Sequence, residues 1–144
     1  MLLPADDKKT ILFICTHNSA RSQMAEAFIN SFHSAQYAAY SAGTEPTEVN
    51  PLAIKVMAEI GVAISNKKAK HVNLYKGQVF DYVVTVCDHA KETCPFFPGA
   101  KKYLHQGFED PSTFTGTDEE KLSGFRRLRD EIRSWIESAF DNED

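Results

Sequence analysis

Cys15-Thr16-His17-Asn18-Ser19-Ala20-Arg21-Ser22 puts a thiol, a guanidinium and a hydroxyl into one short segment. The segment follows the apolar run Thr10–Ile14 and precedes a helical pattern. Backbone N–H groups at the start of a helix lack intrahelical partners, and the helix dipole adds positive potential there. The amides of Thr16, His17, Asn18, Ser19, Ala20 and Arg21 could therefore cradle a tetrahedral oxyanion. Arg21 adds a two-pronged, charge-assisted grip. The same potential favours the thiolate of Cys15, the nucleophilic form. Ser22 is placed to donate a hydrogen bond to that sulfur, and Asn18 to hold the loop's shape. A cysteine and an arginine at this spacing also arise by chance; the strand-loop-helix setting and Ser22 give the pattern its weight.

Two further groups could serve the same chemistry. Asp110 precedes Pro111, and a carboxylic acid beside a departing oxyanion supplies the proton it needs. Read alone, Asp-Pro only opens a turn. Cys87-Asp88-His89-Ala90-Lys91-Glu92-Thr93-Cys94-Pro95 carries the other two cysteines. Cys87 reads either as a core thiol continuing Val83–Val86 or as a working thiol, and Cys94 as an idle surface thiol or its redox partner. The five histidines have no metal-ligand spacing with the cysteines, so no catalytic metal is expected.

The elements that must position these groups alternate in type. Apolar runs predict strands at Thr10–Ile14, Gln36–Ala42 and Phe80–Val86, with a weaker one at Lys102–His105. Met24, Ala27, Phe28 and Phe32 mark a helix over Arg21–His33. A second helix spans Pro51–Ile60, with Asn50 as its cap, Pro51 at its first position and Gly61 as its stop. Asp88–Thr93 reads as a short helix, and Phe108–Thr117 as a loop. Thr117 and Glu120 form a capping box before a long helix. That helix buries Leu122, Phe125, Leu128, Ile132, Trp135 and Ile136. Lys67–Gly77 has no clear pattern. The alternation implies an α/β fold with a parallel sheet covered on both faces. All strand ends then share one edge, which would gather Cys15, Cys87 and Asp110.

The chain of 144 residues reads as a single domain, with residues 1–9 a loose N-terminal extension. At 42% hydrophobic and 25% charged it is an ordinary globular composition. No stretch resembles an export signal or a membrane span, so a cytoplasmic protein is expected. Cytosolic thiols are kept reduced, which argues against a structural disulfide framework. A net charge of -4 disfavours nucleic acid and anionic membranes.

Cys15 to Ser22, Met24-Ala25-Glu26 and Tyr40-Ser41-Ala42-Gly43 together resemble the low-molecular-weight protein tyrosine phosphatase superfamily. The resemblance implies a three-layer fold with a four-stranded parallel sheet, and a general acid in an Asp-Pro loop, matched by Asp110-Pro111. Cys87…Cys94-Pro95, Gly107–Pro111 and Arg127–Ile132 resemble its thioredoxin-coupled arsenate reductase branch. That branch implies a relay in which Cys15 attacks arsenate, Cys87 attacks Cys15 to release arsenite, and Cys94 attacks Cys87. Thioredoxin would then reduce the Cys87–Cys94 disulfide. On a helix these two cysteines would lie about 10 Å apart at ~1.5 Å per residue. A disulfide needs alpha carbons within roughly 7 Å. The segment is therefore expected to unwind on oxidation.

The pattern departs from that family at several positions. His17 stands where glycine is usual; it would narrow the mouth, force a left-handed backbone, touch substrate, or simply face solvent, the reading preferred here. Ala20 replaces a cysteine outside the relay. Some relatives bind potassium beside the loop; Asn18, Glu26 and Ser41 match its ligands, but Lys70 falls where an aspartate is needed. A potassium site is therefore doubtful, with the Lys70 ammonium in its place. Phe96-Phe97 is expected in the core, with a thioredoxin-docking surface as the alternative. A monomer is expected. The rival functions are an aryl phosphatase using Cys15, Arg21 and Asp110, possessing only Phe114 to stack on a tyrosine, and more remotely a phosphocysteine carrier.

Overall fold

The computed structural model describes residues 8–88 and 96–140. Four parallel strands form one sheet in the order β2-β1-β3-β4: β1 (Lys9–Cys15), β2 (Tyr37–Gly43), β3 (Phe80–Thr85) and β4 (Ala100–His105). β1 lies in the middle, and Ile11 through Cys15 are all buried. That is why its sequence is a continuous apolar run rather than an alternating one. The registers Cys15↔Gly43, Ile14↔Thr85 and Thr85↔His105 bring all four strand ends to one edge.

Both faces are covered. α1 (Arg21–Phe32), α2 (Pro51–Ala58) and α3 (Asp118–Ala139) pack with Ile11, Phe13, Cys15, Val84 and Val86 in the larger core. Leu12, Ile14, Ala42 and Val83 face the other way and meet Tyr75, Phe80 and Phe97. Each fully buried large side chain of this kind contributes about 1.5–3 kcal/mol of transfer free energy. Pattern alone left 67–77 unassigned; it contains a 3₁₀ turn, Val72–Tyr75. Tertiary contact organises it, because the buried Tyr75 ring meets Tyr40 and Phe80 edge-on at 5.9 and 5.7 Å.

Local chemistry fixes the helix starts. Asn50 Oδ1 accepts from Leu52 N at 2.8 Å ahead of Pro51. Thr117 Oγ1 accepts from Glu120 N, and Glu120 Oε1 accepts from Thr117 N, which completes the capping box. On α3 the expected stripe is buried except Trp135, which is half-buried. α2 ends at Ala58, two residues short of the expected Ile60, with the chain turning through Ile60 and Gly61. β4 begins at Ala100, two residues earlier than its pattern suggested. The expected short helix over 88–93 falls almost wholly outside the described residues. Phe96 and Phe97 divide: Phe97 is buried and Phe96 is 76% exposed. The expectation that both belong to the core therefore fails for Phe96, whose ring stacks on the exposed Tyr103 at 5.3 Å.

Candidate active site

β1 ends at Cys15, whose side chain is buried, and α1 begins at Arg21 after Ala20. Alanine at the cap position offers no side-chain acceptor to the first helical N–H groups, and a helix start of this kind suits an anion. The loop between them is held from behind. Glu45 N donates to Thr16 O at 2.9 Å, Thr47 N to His17 O at 3.1 Å and Asn50 N to Ser19 O at 2.9 Å. A trans peptide aims its C=O and N–H in opposite directions. The N–H groups of His17, Asn18 and Ala20 therefore point away from the 45–50 segment. Gly43 at the end of β2 makes the approach possible, since a Cβ there would lie 2.5 Å from Thr16 O.

Asn18 is the organising side chain. It is fully buried, and its φ of +51° is the one left-handed non-glycine backbone among the described residues. Asparagine tolerates that region better than most residues. Its Oδ1 accepts from Lys70 N at 2.8 Å and Gln23 Nε2 at 3.0 Å. Its Nδ2 donates to Ser22 Oγ at 2.7 Å. Ser22 Oγ lies 2.9 Å from the Cys15 sulfur. When the sulfur is a thiolate the Ser22 hydroxyl is the donor of this pair, and Asn18 holds that hydroxyl in place. His17 is not left-handed; the strain falls one residue later. Its ring lies half-buried, with Nδ1 3.1 Å from Glu45 O.

Arg21 and Asp110 meet at this loop. Arg21 is 3% exposed; its Nη1 donates to Phe108 O at 3.2 Å and its Nη2 lies 3.8 Å from Asp110 Oδ1. Asp110 Oδ1 also accepts from Ser112 N at 2.9 Å, capping the 3₁₀ turn Pro111–Thr113. The Asp-Pro pair thus opens a turn and also faces the anion loop. Phe114, the aromatic after that turn, packs edge-on against Phe125 of α3 at 5.6 Å.

Cys87 lies two residues past the end of β3, the strand that pairs with β1. Val86 N donates to Ile14 O at 2.9 Å, and the buried Cys87 sulfur lies 3.8 Å from that same oxygen. Cys15 is a free thiol, whereas Cys87 is disulfide-bonded. Cys94, and with it the expected unwinding of its segment, lies outside the described residues.

Glu26 lies beneath the loop. Ser41 Oγ donates to its Oε1 at 2.5 Å. Lys67 Nζ lies 3.7 Å from Oε2 and Lys70 Nζ 3.9 Å from Oε1. Burial, partly offset by the charge of Glu26, holds the Lys70 ammonium pKa below its ordinary value, and Lys67 pushes it the same way as burial. The backbone brace from Glu45 and Thr47 and the Gln23 side chain carried no sequence reading, while Gly43 and Asn50 were read only as part of the family pattern and as a helix cap. Gln23 Nε2 also reaches Lys68 O at 3.0 Å. Gln23 sits in the first turn of α1 among the polar residues Arg21, Ser22 and Glu26, all buried, and nothing in its own pattern set it apart.

Residues 10–141 match the family of low molecular weight phosphotyrosine protein phosphatases, and the chain belongs to that family. Within it, the chain is similar to arsenate reductases. It is 46% identical over 132 residues to the arsenate reductase of Halalkalibacterium halodurans, covering 92% of this chain and 95% of that one. It is 43% identical over 126 residues to the arsenate reductase of Bacillus subtilis, covering 88% and 91%. A solved arsenate reductase in the phosphate binding state superposes with a TM-score of 0.77 at 29% identity, covering 91% of this chain and 95% of that structure.

Proposed function

We propose that this chain is an enzyme that reduces arsenate to arsenite through a relay of Cys15, Cys87 and Cys94. The observation that carries the reading is the placement of Cys87, two residues past the end of β3, with its sulfur 3.8 Å from the carbonyl oxygen that precedes Cys15, at the edge where Arg21 and Asp110 converge. A phosphatase needs one thiol; delivering two electrons needs more.

The amides of residues 16–21 and the Arg21 guanidinium bind the oxyanion. The Cys15 thiolate, held by the Ser22 hydroxyl, attacks arsenic, and Asp110 gives its proton to the departing hydroxide, which leaves as water. Cys87, as thiolate, attacks the Cys15 sulfur. A sulfur–sulfur bond forms, the sulfur–arsenic bond breaks, and its electron pair stays on arsenic as arsenite. Cys94, as thiolate, attacks Cys87 and frees the Cys15 thiolate. The remaining Cys87–Cys94 disulfide is reduced by a thioredoxin dithiol.

Lys70, with Lys67, supplies the positive charge beside Glu26 that potassium supplies in some relatives, so turnover does not require potassium. The enzyme works as a cytoplasmic monomer that engages thioredoxin transiently. Family membership favours weak aryl phosphatase activity from the same Cys15, Arg21 and Asp110, since phosphate shares the shape and charge of arsenate. A dedicated phosphotyrosine enzyme is disfavoured because the Phe114 ring is engaged by Phe125. A phosphocysteine carrier would have no use for Asp110 at the loop.

The test is arsenate-dependent NADPH oxidation with thioredoxin and thioredoxin reductase. Wild type is expected to turn over, and Cys15→Ser, Cys87→Ser and Cys94→Ser are each expected to fail in multiple turnover. Full activity in Cys87→Ser or Cys94→Ser would favour the phosphatase reading.

A further inference from the structure

Gly124 is buried in the interior of α3, where glycine costs helix stability relative to alanine. A methyl group at this position would lie 2.9 Å from both Cδ2 and Cε2 of Phe114. The ring therefore occupies the space of the missing side chain, with Phe125 against it and the Arg127 guanidinium 5.8 Å from its centroid. Phe114 also closes the turn that Asp110 opens. Thr113 N and Oγ1 donate to Asp110 O at 3.1 and 2.7 Å, and Phe114 N donates to Pro111 O at 3.1 Å. A single hydrogen-bonded turn thus joins the carboxyl facing Arg21 to a ring seated on α3. The other end of the loop is held as well: Phe108 meets Trp135 of α3 edge-on at 6.4 Å.

We propose that Gly124 and Phe114 are a pair of positioning residues for the proton donor: the absent side chain at 124 opens a seat on α3 for the Phe114 ring, and that seat sets the turn that aims Asp110 at the anion loop. The inference rests on the arsenate-reduction reading, in which Asp110 protonates the leaving hydroxide. A displaced Phe114 would move the donor without touching the oxyanion cradle. Its effect therefore belongs in kcat rather than KM.

Arsenate turnover with thioredoxin, thioredoxin reductase and NADPH is measured for wild type, Gly124→Ala, Phe114→Leu, Gly124→Ala/Phe114→Leu, Asp110→Asn and Asp110→Asn/Gly124→Ala, with thermal unfolding of each. Gly124→Ala is expected to lower kcat about tenfold, with KM within about twofold of wild type. Adding Phe114→Leu makes room for the methyl and is expected to recover part of that loss. In the Asp110→Asn background Gly124→Ala is expected to change nothing further. Wild-type kcat in Gly124→Ala, or an equal fold-loss with and without Asp110, would overturn the proposal. Should Gly124→Ala not fold, Phe114→Leu alone decides, since it adds no atoms: a lowered kcat at unchanged KM supports the seat, and a wild-type kcat overturns it. A wild type inert toward arsenate removes the functional reading and this inference with it; an active wild type with insensitive variants removes the inference alone.

Discussion

The sulfur of Cys87 lies 3.8 Å from the carbonyl oxygen of Ile14, the oxygen of the peptide that leads into Cys15. The same oxygen accepts the Val86 amide at 2.9 Å. The β1–β3 ladder, which pairs Ile14 with Thr85, therefore delivers residues 15 and 87 to the same edge of the sheet. Both cysteines are buried.

Ser22→Ala removes the hydroxyl facing the Cys15 sulfur. A hydrogen bond to a charged group is worth about 1.5–3 kcal/mol, so arsenate kcat/KM should fall roughly 10- to 100-fold. The buried Asn18 amide also loses its acceptor, so urea unfolding should show lower stability by about 1–3 kcal/mol. Wild-type kinetics in Ser22→Ala would remove Ser22 from the site.

Gly43→Ala places a methyl 2.5 Å from Thr16 O and 2.9 Å from Cys15 O, both backbone atoms of the anion loop. Displacing the loop should cost about 1–3 kcal/mol in stability, as overpacking does. It should also weaken binding of phosphate as an arsenate mimic, measured by calorimetry. Unchanged phosphate affinity would show that the loop tolerates the intrusion.

Glu59 joins α2 to α3 through Arg126 and Arg129. Its pKa is lowered from 4.5 to about 2, first by the Arg126 hydrogen bond, against desolvation, with Arg129 also lowering it. The stabilising contribution is complete above pH 4.5. As pH falls the unfolded chain takes up the proton first, so the contribution drains away and is gone once pH passes below about 2. Glu59→Gln should therefore lower Tm at pH 7, and the gap to wild type should close between pH 4.5 and about 2. A gap that persists unchanged at pH 2 would contradict the assignment.

Lys70 faces Glu26 at 3.9 Å. If its ammonium serves as the resident cation, turnover should be equal in potassium and sodium salts at matched ionic strength. Lys70→Met should lower it roughly tenfold, the scale of one lost charge-assisted contact. Stimulation of wild type by potassium would count against the assignment.

The sequence revealed the parts of the site whose chemistry is local. Cys15 to Ser22 lies between a buried strand and a helix, so its role followed from short-range pattern. Arg21 and Asp110 could be expected together because parallel strands deliver their ends to one edge. The capping box of Thr117 and Glu120 is a four-residue rule. The brace behind the anion loop was not legible, since it runs through backbone N–H groups of Glu45, Thr47 and Asn50, which carry no side-chain signature. Gly43 was visible as a residue of the family pattern, but its closeness to Thr16 O is a tertiary fact. Phe96 and Phe97 are identical neighbours, and no local rule says which one turns inward. The 72–75 turn depends on Tyr75 meeting rings from β2 and β3, so its own sequence held little of the information.

Trapping the relay at its midpoint tests the central claim most directly. The reduced Cys94→Ser chain is mixed with excess arsenate in a single turnover, arsenite is quantified, and disulfides are mapped by mass spectrometry after acid quench. About one arsenite per chain is expected, with Cys15 and Cys87 joined in one disulfide, since the thiol that would resolve it is gone. Arsenite release with Cys15 and Cys87 both still free, or no arsenite at all from a folded and phosphate-binding chain, would contradict the relay.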